Sequence, residues 1–262
     1  MTHHFPNRRI QWRHLGLIDY QKAWDVQQQH FDALHNLKVA NRDRRPQDAL
    51  YSDHTLFTCE HPPVLTLGKS AKTKHLLHDR AFMKKQGISV VRTNRGGDVT
   101  YHGPGQMVVY PILDLDHFYT DIHRYMRELE EASIRTLADF GVAAGRYPGY
   151  TGVWIDADQP SRARKICAQG VKCSRWITMH GLALNVHTDL TPFHYIVPCG
   201  IRDKAVTTMA LEMETVPSME AVRQTFLHHF ETIFQARLIA ASGRTDLVDD
   251  ASASGGPIEK HA

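Results

Sequence analysis

A chain of 262 residues with 42% hydrophobic content is long and apolar enough to bury a core of its own. Lys and Arg number 31 against 28 Asp and Glu, a net charge of +3, which is too near balance for charge alone to indicate nucleic acid. No segment approaches ~18 consecutive apolar residues and no apolar run precedes a small-residue cleavage site near the start, so a cytoplasmic protein without membrane contact is expected.

The start reads as polar. Asp19 can cap a helix whose apolar positions Tyr20, Ala23, Trp24, Phe31, Leu34 and Leu37 fall mostly on one face. Asn41 to Gln47 is a charged loop containing Pro46. Thr55 to Cys59 and Val64 to Leu67 are two short strands interrupted by Pro62 and Pro63, which supply no ladder donors. Lys69 to His75 is a basic surface loop, Asp79 to Gln86 a short helix closed by Gly87, and Ile88 to Arg92 a strand. Gln106 to Leu115 reads as a strand in which Pro111 implies an edge or a bulge. From Asp121 the apolar set Ile122, Tyr125, Met126, Leu129, Ala132, Leu137 and Phe140 has a helical period that stops at Gly141. Three strands follow, Gly152 to Asp156, Lys165 to Lys172 and Ile177 to His187, then a long connection from Thr188 to Asp203. A last helix runs from Ser218 to Leu238, and beyond Ala241 the composition predicts a disordered tail over 241–262. The expectation is an α/β (α+β) fold with a mixed, largely antiparallel sheet and packed helices, in which residues 1–49 add a helix and loop to a domain spanning 50–238.

The segment between Arg95 and Pro111 carries four glycines, a proline, an arginine and a histidine before the strand that follows, which is the composition of a ligand wall. The alternative is an irregular β-connection whose glycines only serve turns. Basic residues concentrate at Arg42 to Arg45, Lys69 to Lys74 and Arg162 to Arg175, and acids at Glu128, Glu130 and Glu131. A one-sided basic face of this kind steers acidic protein partners.

The four cysteines, Cys59, Cys167, Cys173 and Cys199, form no C-x-x-C pair and are too few for a disulfide scaffold, so free thiols are expected. The eighteen histidines show no metal-ligand spacing, and no metal is expected. Cys59 and Cys167 lie in apolar strand patterns and read as small buried hydrophobes, whereas Cys199 sits between Pro198 and Gly200 in a loop. A nucleophilic thiol needs a base or cation to hold it as thiolate. His102, His180 and His194 are candidate helpers, as is Lys165, which opens an apolar strand where partial burial favours its role as a base.

The motifs Glu60-His-Pro-Pro-Val-Leu-Thr-Leu-Gly68, Arg95-Gly-Gly-Asp-Val-Thr-Tyr-His-Gly-Pro-Gly-Gln106, Lys165-Ile-Cys-Ala-Gln-Gly170, Ser174-Arg-Trp176 and His180-Gly-Leu-Ala-Leu-Asn185 through Pro198-Cys-Gly-Ile201 stand in order along the chain. Together they resemble the lipoyl(octanoyl) transferase family, and the resemblance covers roughly Leu50 to Leu238. It implies the catalytic-domain fold of biotin and lipoate protein ligases. It also implies transfer of an octanoyl group from octanoyl-acyl carrier protein to a lysine of lipoyl domains or the glycine cleavage H protein, with neither ATP nor metal as cofactor and with a monomeric enzyme. The family's acyl-thioester cysteine falls on Cys199 and its activating lysine on Lys165. Substrate contacts fall on Arg95, Gly96, Gly97, Asp98, Val99, Thr100, Tyr101 and His102, on Ala168, Gln169 and Gly170, and on Gly181, Leu182 and Ala183. Backbone N–H groups near Gly170, Gly181 or Gly200 are candidates to meet the tetrahedral oxyanion. Cys167 and Gln169 occupy positions that are more often small or aliphatic in the family, which makes the strand beside Lys165 more polar than usual. An ATP-dependent lipoate or biotin protein ligase and a non-catalytic acyl-carrier or lipoyl-domain binding protein are the alternatives, and neither needs a thiol at position 199.

Overall fold

The computed structural model describes residues 7–45, 48–197 and 205–241. Eleven strands and five α-helices alternate along these residues: β1 (Arg9–Leu17), α1 (Tyr20–Ala40), β2 (His54–Glu60), β3 (Val64–Leu67), α2 (Arg80–Lys85), β4 (Ser89–Arg92), β5 (Val99–His102), β6 (Gln106–Ile112), α3 (Ile122–Asp139), β7 (Val153–Ile155), β8 (Arg164–Ser174), β9 (Ile177–Asn185), β10 (Ala205–Val206), α4 (Met209–Glu212), α5 (Met219–Phe234) and β11 (Arg237–Ala240). The main sheet has the order β10-β8-β9-β6-β2-β1-β11, with β7 also paired to β8, and a second sheet has the order β4-β3-β5. Parallel and antiparallel ladders are mixed, as expected for the fold class.

The helices start where side-chain oxygens cap them. Asp19 accepts from the N–H groups of Gln21 and Lys22, Asp79 from Phe82, Asp121 from His123 and Arg124, and Ser218 from Ala221. Period-two alternation then sorts the main sheet into two faces. Leu56, Met107, Val109, Leu182 and Leu184 join α3 and α5 in one core. Phe57, Val108, Tyr110, Ile112 and Ala183 join α1 in the other. The sheet is therefore covered by helices on both faces.

Several elements differ from the sequence reading. Arg9–Leu17 is a strand rather than a polar lead-in, and it lies inside the main sheet between β2 and β11. Both of its ladders are parallel, so no hairpin turn announces them. The last helix stops at Phe234, not Leu238, because Gln235 turns left-handed at φ 48, and Arg237–Ala240 becomes a strand. Pro111 is not at an edge: β6 is central, paired to β2 through Pro111, while its ladder to β9 ends at Val109↔Leu182. Beyond that point His180 has φ 61 and the missing proline donor is not needed. Glu130, one of the three clustered acids, is not a surface charge: it is fully buried and bonded to Arg127, Arg146 and the Gly152 N–H. The proposed tail falls almost wholly outside the described residues.

Candidate active site

The Arg95–His102 segment forms one wall of an open pocket on the α1 side of the main sheet. Counted out to its open mouth, solvent included, the pocket takes in about 970 Å³. Its backbone is brought close by glycines. A Cβ at Gly181 would lie 2.1 Å from the Val109 carbonyl oxygen, and one at Gly68 would lie 2.4 Å from that of Gly97. Those positions exclude any side chain, so β6 and β9 beneath the pocket, and the end of β3 and the glycine loop beside it, meet through main chain.

Arg95 organises this wall rather than presenting its charge to solvent. It is 7% exposed. Its guanidinium donates to the carbonyl oxygens of Thr66, Asp98 and Gly96 at 2.8, 2.9 and 2.9 Å and to the Thr66 hydroxyl at 2.9 Å. Replacing Arg95 by methionine removes a planar donor from several buried acceptors at once, and a loss of about 2–3 kcal/mol of stability is expected. Lysine should restore little, because a point charge cannot bridge acceptors arranged around a fork. Urea unfolding of the three proteins checks this; midpoints equal to the wild type for both variants would refute it.

Behind the wall lies a buried polar network. The His61 Nδ1–H donates to the Ile18 carbonyl at 2.7 Å, which leaves Nε2 to accept from the Tyr110 hydroxyl at 2.7 Å. The His102 Nδ1–H donates to Gln106 Oε1 at 2.7 Å, Gln106 donates to Asn185 at 2.8 Å, and Asn185 to the Thr207 carbonyl at 3.0 Å. The Thr207 N–H then reaches the Lys165 carbonyl at 2.9 Å. A continuous set of hydrogen bonds thus ties the glycine wall to the strand that carries Lys165. Burial pushes His61 down to about 4 and both His102 and His180 down to about 3, so these imidazoles are neutral. Among the three helpers read from sequence, His102 and His180 are hydrogen-bonded framework residues, and His194 is exposed.

Lys165 lines the same pocket as Arg95, Gly97, Asp98, Val99, Thr100 and His102. It is placed there by a β-bulge. Val153 pairs with Cys167 and Trp154 with Lys165, so Ile166 is one residue too many on β8. Ile166 and Cys167 both turn into the α3 core, which leaves Lys165 and Ala168 on the pocket face. The Lys165 ammonium nitrogen stands 4.7 Å from the centre of the Trp154 ring.

Ala168, Gln169, Gly170, Gly181, Leu182 and Ala183 also line the pocket, from β8 and β9. Gly96 and Tyr101 do not. Gly96 donates its N–H to the Val171 carbonyl at 2.8 Å, and Tyr101 points to the other face of β5, against Phe193. Gln169 pairs with Leu182 and shares its strand face with Cys167 and Val171, which pack toward α3. Trp154, Tyr20, Asn185 and Phe193 are among the further lining residues, and the sequence reading does not name them as site residues. A tryptophan in a short strand opposite a lysine-led strand was the available signal for the first of them.

Cys59 and Cys167 are buried, as read from their apolar strands; burial pushes the Cys59 thiol up and takes Cys167 to about 12. Cys173 is partly buried and also shifted up by burial. None of these three thiols is held as a thiolate. Cys199 and Gly200 lie outside the described residues. The described chain stops at Val197, whose N–H donates to the His75 carbonyl, and resumes at Ala205–Val206, where Val206 pairs with Lys165. No group of three or more potential metal ligands occurs among the described residues, and no described helix is long and apolar enough to cross a membrane.

Residues 19–231 match the model of the lipoyl protein ligase A/B catalytic domain. An octanoyltransferase of Cytophaga hutchinsonii is 53% identical over 236 residues, covering 90% of this chain and 97% of that protein. The chain belongs to the octanoyltransferase family. A second octanoyltransferase, from Christiangramia forsetii, is 49% identical and covers 88% of this chain and 98% of that protein. Family membership makes this chain an acyltransferase. Among solved structures, a bipartite lipoate protein ligase from Thermoplasma acidophilum superposes with a TM-score of 0.63 at 19% identity, covering 91% of this chain and 87% of that one. Lipoate-protein ligase A bound with ATP gives 0.62 at 18% identity, covering 90% and 88%. At these identities the likeness is one of fold.

Proposed function

We propose that this octanoyltransferase-family chain moves an octanoyl group from octanoyl-acyl carrier protein to a specific lysine of lipoyl domains and of the glycine cleavage H protein, through an acyl-thioester on Cys199. The observation that carries the reading is the convergence of Lys165 and the glycine wall on one pocket, with Val206, seven residues after Cys199 in sequence, paired to Lys165. The exclusion of Cys59 and Cys167 by burial supports Cys199 as the nucleophile.

In this mechanism neutral Lys165 takes the proton of the Cys199 thiol, and the thiolate attacks the carrier's thioester carbonyl. The tetrahedral intermediate collapses, the C–S bond to the carrier breaks, and the departing sulfur receives the proton held by Lys165. One thioester has replaced another, a step near energetic balance that calls for no ATP. The acceptor lysine then attacks the octanoyl-Cys199 carbonyl and loses its proton to Lys165. The Cys199 sulfur leaves and receives the proton held by Lys165, and the amide formed is more stable than the thioester, so the second step runs downhill. Arg95 and the His102 network hold the wall that receives the acyl group. We place the enzyme in the cytoplasm, as a monomer without metal or other cofactor.

Intact mass of the protein after mixing with octanoyl-acyl carrier protein, without ATP, tests this directly. An octanoyl adduct is expected that hydroxylamine removes and that Cys199→Ala does not form. No adduct from the acyl carrier, with an octanoyl-adenylate formed from free octanoate and ATP, would overturn the reading in favour of a ligase; no reaction in either case would favour a binding protein.

A further inference from the structure

We infer that Trp154 is a positioning residue whose ring face seats the Lys165 ammonium between proton transfers, an inference that rests on the base role of Lys165. The bulge at Ile166 makes Trp154 and Lys165 a cross-strand pair on the pocket face. The ammonium nitrogen lies 4.7 Å from the ring centre, inside the range in which the negative face of an indole attracts a cation. Among the described residues no carboxylate forms an ion pair with Lys165. Among the described residues the ring face is the partner recorded for its charge.

The seat itself is held from behind. Trp154 is 1% exposed. Its main chain exchanges two hydrogen bonds of 2.8 Å with Gly145, and the rings of Tyr147 and Tyr150 lie 5.3 and 5.9 Å from its own. The turn before it is pinned by buried Glu130, which accepts the Gly152 N–H at 2.9 Å. Gly152 has φ 95, and a Cβ there would come within 2.3 Å of the Cys167 carbonyl oxygen. The indole therefore has one position, and the flexible lysine moves against it.

The choice of an aromatic face has a chemical logic. A carboxylate in this place would lock Lys165 as a permanent cation, and an apolar residue would leave the charged form without a partner. An indole face attracts the ammonium and holds it less tightly than an anion would. Lys165 gains a proton when a thiol or amine gives one up, rests over Trp154 as the ammonium, and returns the proton to the departing sulfur.

Fluorinated tryptophans at position 154 alone test this, because each added fluorine withdraws charge from the ring face with little change of shape. The rate of octanoyl transfer is expected to fall stepwise from one to four fluorines, by about twofold to thirtyfold in all, with KM for the acyl carrier and the melting temperature unchanged. With a single fluorine at position 154 and no substrate, the fluorine resonance should move when Lys165→Met is introduced. A flat series together with an unmoved resonance, in a protein that Lys165→Ala inactivates, overturns the seat alone. Wild-type transfer by Lys165→Ala overturns the base and the seat together.

Discussion

Lys165→Ala is expected to slow acyl transfer by about 10²–10⁴-fold while the protein folds and melts as the wild type does. The loss follows from the proton accounting: the mechanism assigns the deprotonation of both the thiol and the acceptor amine to Lys165, and its removal takes the base from both steps. The fold should be indifferent, because Lys165 is only partly buried, forms no ion pair among the described residues, and is joined to the network behind the pocket through its carbonyl oxygen. Arginine at this position should not restore activity, since a guanidinium keeps its proton and cannot act as a base. Two single-turnover measurements check the result: formation of octanoyl-enzyme from the acyl carrier, and its discharge to a lipoyl domain. Both should be slowed, and an undiminished rate in either step would remove Lys165 from that step.

The second large effect is on stability in mild acid. His54 and His61 are pushed down to about 4 and His102 and His180 to about 3, in each case chiefly by burial; the charges of His61 and Arg95 add to the shift at His102, and that of Arg95 to the shift at His180. In the unfolded chain a histidine titrates near ~6.5. Because the folded values are depressed, the stability these neutral rings contribute is fully present above the unfolded value. It is lost as pH falls from there toward 4 for the first pair and toward 3 for the second. At pH 5 each ring has given up about 2 kcal/mol, and the four together several kcal/mol, a sizeable part of the ~5–15 kcal/mol that holds a domain together. Melting temperature should be nearly level from pH 8 to 7 and fall steeply between pH 6.5 and 5, where carboxylates are still ionised. A level profile to pH 5 would show that burial does not hold these rings below the unfolded value.

What could be read in the sequence was what local chemistry writes there. The α1 and α3 helices carry apolar periods behind aspartate caps, and the glycine-rich segment that opens at Arg95 contributes Arg95 and Gly97 to His102, without Tyr101, to the pocket lining. What could not be read depends on distant pairing. Val99–His102 hides among those glycines and becomes a strand only because β3 lies beside it. The bulge that turns Lys165 into the pocket arises from the count of residues on β7 against β8, which neither strand displays alone. Trp154 looked like one more apolar strand residue, and Glu130 like one more acid on a charged helix. Their roles come from what the fold places opposite them.

The strand at Arg9–Leu17 carries a consequence for the order of assembly. It pairs parallel with β2 on one side and with β11 on the other, so Ile10 stands beside both His54 and Leu238. During synthesis the first partner is available early, while the second emerges only after the remainder of the described fold has been made. Through that interval β1 presents an open edge, a template for pairing with another chain. A ribosome-bound intermediate halted before residue 237 should therefore be the species most in need of a chaperone, and arrival of the last short strand is the event that ends that exposure.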